Sequence, residues 1–191
     1  MAAVPAESLP KRHYTVVEWE KLPEFPRYEL IDGELILMAR PSSEHQSITL
    51  ELGAQFRNNL LGKRCRPFIE LSVRFRENDS TVFIPDLIVV CDRSKIQKNY
   101  CIGAPDLVIE VLSPSTAKID RILKLDRYYR EGVREYWMVE PSHQVLEVYQ
   151  WDNGLCPPKL YGPEDKIKVG VLDDCEIDLS LVFPEPEESD N

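Results

Sequence analysis

Two carboxylates stand in stretches that otherwise read as apolar strands. Asp86 sits in Val82-Phe83-Ile84-Pro85-Asp86-Leu87-Ile88-Val89-Val90, and Glu110 in Leu107-Val108-Ile109-Glu110-Val111-Leu112. Read as one strand, the first run is apolar on both faces. Val82, Ile84, Ile88 and Val90 share the side of Asp86, with Phe83, Leu87 and Val89 opposite. Such strands belong in the middle of a sheet covered on both sides. An ionised carboxylate there costs on the order of several kcal/mol unless a cation or donors meet it. Two on neighbouring strands would also repel each other. A divalent metal held between them would account for both. Blander readings stay open: Asp86 could bond to the loop near Ser113, and Glu110 could pair with Arg74.

The segment after Glu110 supplies a cation. Ser113-Pro114-Ser115-Thr116 reads as a helix start, and Gly132 as a helix stop, so a helix is expected from about Ala117 to Glu131. Ile119, Ile122, Leu123 and Tyr129 are expected to pack it on the sheet. Asp120, Lys124 and Tyr128 form an adjacent i, i+4, i+8 stripe, which brings Lys124 toward the two acids. The same spacing would serve a surface pair between Asp120 and Lys124. Two acids, a lysine and a helix N-terminus suit phosphodiester chemistry.

The residues that carry a resemblance are Pro85-Asp86, Glu110-Val111-Leu112-Ser113-Pro114-Ser115, Lys124, Tyr128 and Gly132-Val133-Arg134-Glu135-Tyr136-Trp137. With Tyr28 to Leu35 and Glu44-His45-Gln46 upstream, they make the chain resemble the Uma-two family over roughly residues 14 to 183. That family belongs to the PD-(D/E)XK restriction-endonuclease-like superfamily. The signature lysine two residues after the acid is Leu112 here, and the resemblance places its counterpart at Lys124. It implies metal-dependent hydrolysis of DNA, with Asp86, Glu110 and the backbone carbonyl of Val111 as ligands. Oxygen ligands favour Mg²⁺ or Mn²⁺. Lys124 would orient water or stabilise transition-state charge. Ser113 and Ser115 could anchor a neighbouring phosphate, and Glu34, His45 and Tyr128 could stand behind the ligands. His45 at a helix start reads more often as a surface residue than as a ligand, Glu34 reads equally as a solvated residue after a turn, and Tyr128 reads more readily as core. A homodimer is expected.

Composition sets the limits. The chain has 191 residues, 43% hydrophobic and 29% charged, which suits one soluble domain with a full core. The net charge of -10 is awkward for a nuclease, because phosphate neutralisation supplies most non-specific affinity. Weak unaided DNA binding is expected, although basic residues cluster at Lys63-Arg64-Cys65-Arg66, at Arg74 and Arg76, and across Lys118, Arg121 and Lys124. Five scattered cysteines, in no metal-ligand spacing, predict reduced thiols and a cytoplasmic location. No run is long enough for a membrane span.

The elements that must position the site follow from local signals. A flexible arm is expected over 1–13, one domain over 14–183, and an acidic disordered tail over 184–191. Val16 to Trp19 should form a short helix capped at Thr15, and Tyr28 to Met38 a hairpin turning at Asp32-Gly33. Ser42 or Ser43 should cap a long helix to about Leu61 with Ile48, Leu52, Phe56 and Leu60 on one stripe. A strand over Phe68 to Phe75, a loop over Ser94 to Gly103 and a second hairpin around Pro141-Ser142 complete the order. The fold class is α/β (α+β), with a mixed central sheet flanked by helices and added antiparallel hairpins.

Overall fold

The capping signal at Thr15 starts the first helix. Its hydroxyl and Glu18 cap each other's backbone around helix α1 (Val16–Trp19). Strands β1 (Tyr28–Ile31) and β2 (Glu34–Leu37) form the expected hairpin, with Asp32 and Gly33 both at positive φ. Helix α2 (Ser43–Asn59) is capped by the Ser42 hydroxyl, and Ile48, Leu52 and Phe56 are buried along it. The computed structural model describes residues 12–114, 117–151, 154 and 156–183. Most of the expected N-terminal arm, the acidic tail, Ser115 and Thr116 lie outside the described residues.

The strand expected over Phe68 to Phe75 is two strands, β3 (Arg66–Ile69) and β4 (Ser72–Arg74), parted at Glu70, which has a φ of 51°. The run from Val82 to Val90 also divides. Val82 and Phe83 bridge to Leu30 and Val73, and strand β5 begins only at Leu87 (Leu87–Val90). The cause is Pro85, which has no N–H to continue a ladder. The expected two-sided alternation therefore slips: Phe83 packs with Ile88 and Val90, on the face opposite Leu87 and Val89. The expected loop over Ser94 to Gly103 contains β6 (Tyr100–Ile102), parallel to β4.

Strand β7 (Leu107–Val111) carries Glu110 in its interior. Helix α3 (Ala117–Ile119), a π-helical turn over Asp120–Lys124 and helix α4 (Leu125–Glu131) then follow one another directly. The chain returns through β8 (Glu135–Glu140) and β9 (Val145–Gln150), then β10 (Lys159–Tyr161), β11 (Lys166–Lys168), β12 (Glu176–Asp178) and α5 (Leu179–Val182). Six strands form one mixed sheet in the order β10-β9-β8-β7-β5-β3, parallel only between β7 and β8. This is the expected fold class.

Helix α2 covers one face of the sheet, where Leu52 and Phe56 pack with Leu87, Ile109 and Trp137. Tyr128, Val108, Tyr136 and Met138 fill the other. The helix orientation on that second face corrects the sequence expectation. Ile122 and Leu123 are 56% and 50% exposed, while Asp120, Lys124 and Tyr128 are 2%, 4% and 0% exposed. The polar stripe is the one that faces the sheet. A buried acid on β7 needs a cation more than the sheet needs two more aliphatic side chains.

A second correction concerns the cysteines. Cys65 and Cys91 stand next to the paired residues Arg66 and Val90 on β3 and β5, and they are disulfide-bonded rather than reduced. Cys101, Cys156 and Cys175 are free thiols. Among the described residues no helix is long and apolar enough to cross a membrane.

Candidate active site

Leu87 pairs with Ile109 across β5 and β7, so Asp86 stands level with Glu110 at the end of this strand pair. The chain's change of partner at Pro85 frees Asp86 from the ladder. One of its oxygens, Oδ2, accepts the Val111 backbone N–H at 2.7 Å. The other, Oδ1, lies 3.2 Å from Nε2 of His45, near the N-terminus of α2. Protein groups from β7 and α2 thus meet both oxygens of Asp86. Glu110 does not pair with Arg74, which binds Glu20 at 2.5 Å.

Glu110 is met from the helix. Nζ of Lys124 is 2.9 Å from Glu110 Oε1, and the Tyr128 hydroxyl donates to the same oxygen at 3.0 Å. The ammonium is shared further, with Glu29 Oε1 at 2.9 Å and Asp120 Oδ1 at 3.1 Å. The last approach is close but poorly aligned, and Asp120 Oδ1 makes no hydrogen bond. Glu29 Oε1 also accepts the Ile84 N–H at 2.7 Å, two residues before Asp86.

The charges explain the protonation states. Burial holds the Glu110 carboxyl well above the ordinary glutamate range, opposed by Lys124 and reinforced by Asp120, Asp86 and Glu29. Burial works against the charge of Lys124, but Glu110, Glu29 and Asp120 outweigh it and keep the ammonium well above the ordinary lysine value. Both shifts have one geometric cause: the carboxylates of Glu110, Glu29 and Asp120 share a single buried ammonium.

Burial also works against a charged His45, and the hydrogen bond and charge of Asp86, helped by the Val111 backbone and Glu70, outweigh it. A raised folded value means a contribution present below the ordinary 6.5 and lost as pH rises through the folded value. The stability advantage of wild type over His45→Gln should therefore be largest below about pH 6.5 and shrink above it. Urea denaturation from pH 5.5 to 8.5 measures this. A pH-independent difference would mean that the ring stays neutral.

The other expected residues fare differently. Glu34 is exposed on its hairpin and touches none of these groups, so the acid that the hairpin contributes is Glu29. Ser113 is half-buried and its carbonyl accepts the Ala117 N–H. Ser115 lies outside the described residues. Glu29 is the member of the cluster that motif reading passed over, and Asp120, expected on the Lys124 stripe, joins it without an assigned role. A signal for Glu29 existed: like Asp86, it interrupts an apolar run, Tyr28-Glu29-Leu30-Ile31, all four residues of which are buried.

The donor set fits a hard divalent cation. Asp86, Glu110 and the Val111 carbonyl offer oxygen only, and the cluster carries an excess of buried negative charge. Among the described residues no three His, Cys, Asp or Glu side chains form a ready-made cage. Mg²⁺ does not require one, because it usually keeps several waters and uses one or two carboxylates.

The family described as Uma2, "Putative restriction endonuclease", matches residues 15–180. An uncharacterized protein of Synechocystis sp. (strain ATCC 27184 / PCC 6803 / Kazusa) is 30% identical over 135 residues, 70% of each chain. A second from the same organism is 28% identical over 127 residues, 64% of this chain and 71% of the relative. The fold is similar to the crystal structure of "a putative nuclease belonging to DUF820" from Anabaena variabilis ATCC 29413. The TM-score is 0.73 at 24% identity, over 88% of this chain and 97% of that one.

Proposed function

The chain belongs to the Uma2 family, and from that membership we propose that it is a Mg²⁺- or Mn²⁺-dependent endonuclease that hydrolyses DNA phosphodiester bonds. One observation carries this reading. Glu110, buried in a central strand, faces a helix whose Lys124 is turned inward to meet it, with Asp86 level with it just before the next strand. A fold has little reason to gather that much charge at the end of a strand pair unless the charge is used.

Asp86, Glu110 and the Val111 carbonyl would hold the cation. When bound, it would polarise the scissile phosphate and lower the pKa of an attacking water. The chain's own groups do the rest. Val111 N–H fixes the orientation of the Asp86 carboxylate. Tyr128 and Lys124 both grip Oε1 of Glu110, which fixes that side chain too. Lys124 brings a positive charge that can stabilise negative charge building on the phosphate. The apolar walls from Phe83 and Tyr136 keep this field in a medium of low dielectric.

A second reading is a nuclease-fold protein that binds nucleic acid or another protein without useful turnover. The net charge of -10 favours it, as does the internal engagement of the basic residues. Arg76 binds Glu131, Arg121 binds Glu147, and Arg64 binds the Cys91 carbonyl. Weak DNA affinity and a homodimer are part of the proposal.

Supercoiled plasmid with Mg²⁺ separates the two readings. Nicking by wild type that Asp86→Asn reduces at least about 100-fold supports the enzyme, since removal of a ligand charge weakens both metal binding and the transition state. Plasmid that stays supercoiled with either ion, despite retained binding, supports the second reading.

A further inference from the structure

We propose that Glu29 is a positioning residue that takes over the Lys124 ammonium when a divalent cation engages Glu110, an inference that rests on the metal-dependent reading of the site. An ammonium has three N–H donors. In this structure Nζ of Lys124 donates to Glu110 at 2.9 Å and lies 2.9 Å from a Glu29 oxygen and 3.1 Å from one of Asp120. Glu110 Oε1 is thus committed to the ammonium and to the Tyr128 hydroxyl. A cation that draws on Glu110 loosens the first of these bonds, and a buried ammonium cannot be left without acceptors.

Glu29 is built to receive it. Its Oε1 is anchored by the Ile84 N–H at 2.7 Å, so the acceptor stays in place whatever Glu110 does. Ile84 belongs to the segment that delivers Asp86, so one carboxylate holds the lysine and the metal-bearing strand end in register. Asp120 is the reserve acceptor: it is 2% exposed, and its Oδ1 makes no well-aligned hydrogen bond. The hairpin β1–β2 thereby becomes part of the site, through Glu29 and not through Glu34.

Without Glu29 the ammonium would stay on Glu110 and compete with the metal. Glu29→Gln should weaken Mn²⁺ binding, measured by calorimetry on the full chain, by about ten-fold, within the usual range for coupled neighbours. In a Lys124→Met background the same change should weaken it less than about two-fold, because the competitor is gone. An equal loss in both backgrounds would make Glu29 a direct ligand and overturn the inference. No loss in the wild-type background would overturn it as well.

Lys124→Met is a demanding substitution, so a second measurement uses Glu29→Gln alone. In ¹⁵N spectra of lysine side-chain amines, the buried Lys124 protons should remain protected from exchange in Mg²⁺-saturated wild type. They should exchange faster in Mg²⁺-saturated Glu29→Gln, because an amide oxygen holds an ammonium less strongly than a carboxylate does. Equal protection in both proteins would overturn the inference while leaving the metal site standing. A wild-type protein that binds no Mn²⁺ would overturn the metal-dependent reading and the inference together.

Discussion

Lys124→Met should cost the metal-free protein about 3–5 kcal/mol of stability at pH 7, the usual effect of removing one partner from a buried ion pair. Methionine keeps the unbranched reach of lysine and removes only the charge and its donors. Glu29, Glu110 and Asp120, all nearly inaccessible to water, then face each other with no cation among them. If Lys124 were the surface partner that the Asp120 spacing also allows, the loss would stay below about 1 kcal/mol. The pH dependence carries a definite sign. The Glu110 carboxyl already sits well above the ordinary glutamate range, and loss of the ammonium removes the main influence lowering it. A carboxyl raised on folding stabilises the fold below its unfolded value and loses that contribution as pH rises through its folded value. The mutant's deficit should therefore shrink as pH falls toward about 4.3, the ordinary glutamate value. Urea midpoints at pH 7 and 5 measure both features.

The second large effect belongs to Glu110. Glu110→Gln should abolish metal-dependent plasmid nicking, a loss on the order of 10³-fold or more, while leaving the metal-free fold as stable as wild type or more so. The amide oxygen can still accept from Lys124 and Tyr128, so the packing survives. What disappears is a charge that burial already penalises. Loss of activity with unchanged melting would place Glu110 in the chemistry. Loss of activity with a collapse of stability would make it a structural anchor for the helix.

Much of this site could be read from residue type, and the limits of that reading are physical. Asp86 and Glu110 were visible because a carboxylate in an apolar run needs a partner, whatever the fold. The hairpin at Asp32-Gly33 and the cap at Ser42 were visible because they depend on short-range backbone geometry. The helix after Glu110 lies where it is expected and brings Lys124 to the acid, but Ile122 and Leu123 face water instead of the sheet. Periodicity assigns the apolar stripe to the core, and it cannot weigh Ile122 and Leu123 against a buried acid that needs Lys124. The π-helical turn over Asp120–Lys124 has no sequence signal of that kind. Glu29 carries only a weak signal, an acid inside a short apolar run, because acids in hairpins usually face water. Its burial depends on Val82 pairing with Leu30, a contact some fifty residues away in the chain. Cys65 and Cys91 looked unrelated until the strand register set them side by side.

Whether Asp86 and Glu110 hold a divalent cation for phosphodiester hydrolysis can be seen by anomalous diffraction from Mn²⁺-soaked crystals. A single anomalous peak is expected between the two carboxylates, within about 2.0–2.4 Å of an oxygen from each and of the Val111 carbonyl. No such peak is expected in Glu110→Gln. Wild-type crystals soaked in millimolar Mn²⁺ that show no peak there, with His45 still bound to Asp86 and Lys124 still bound to Glu110, would contradict a cation at this pair.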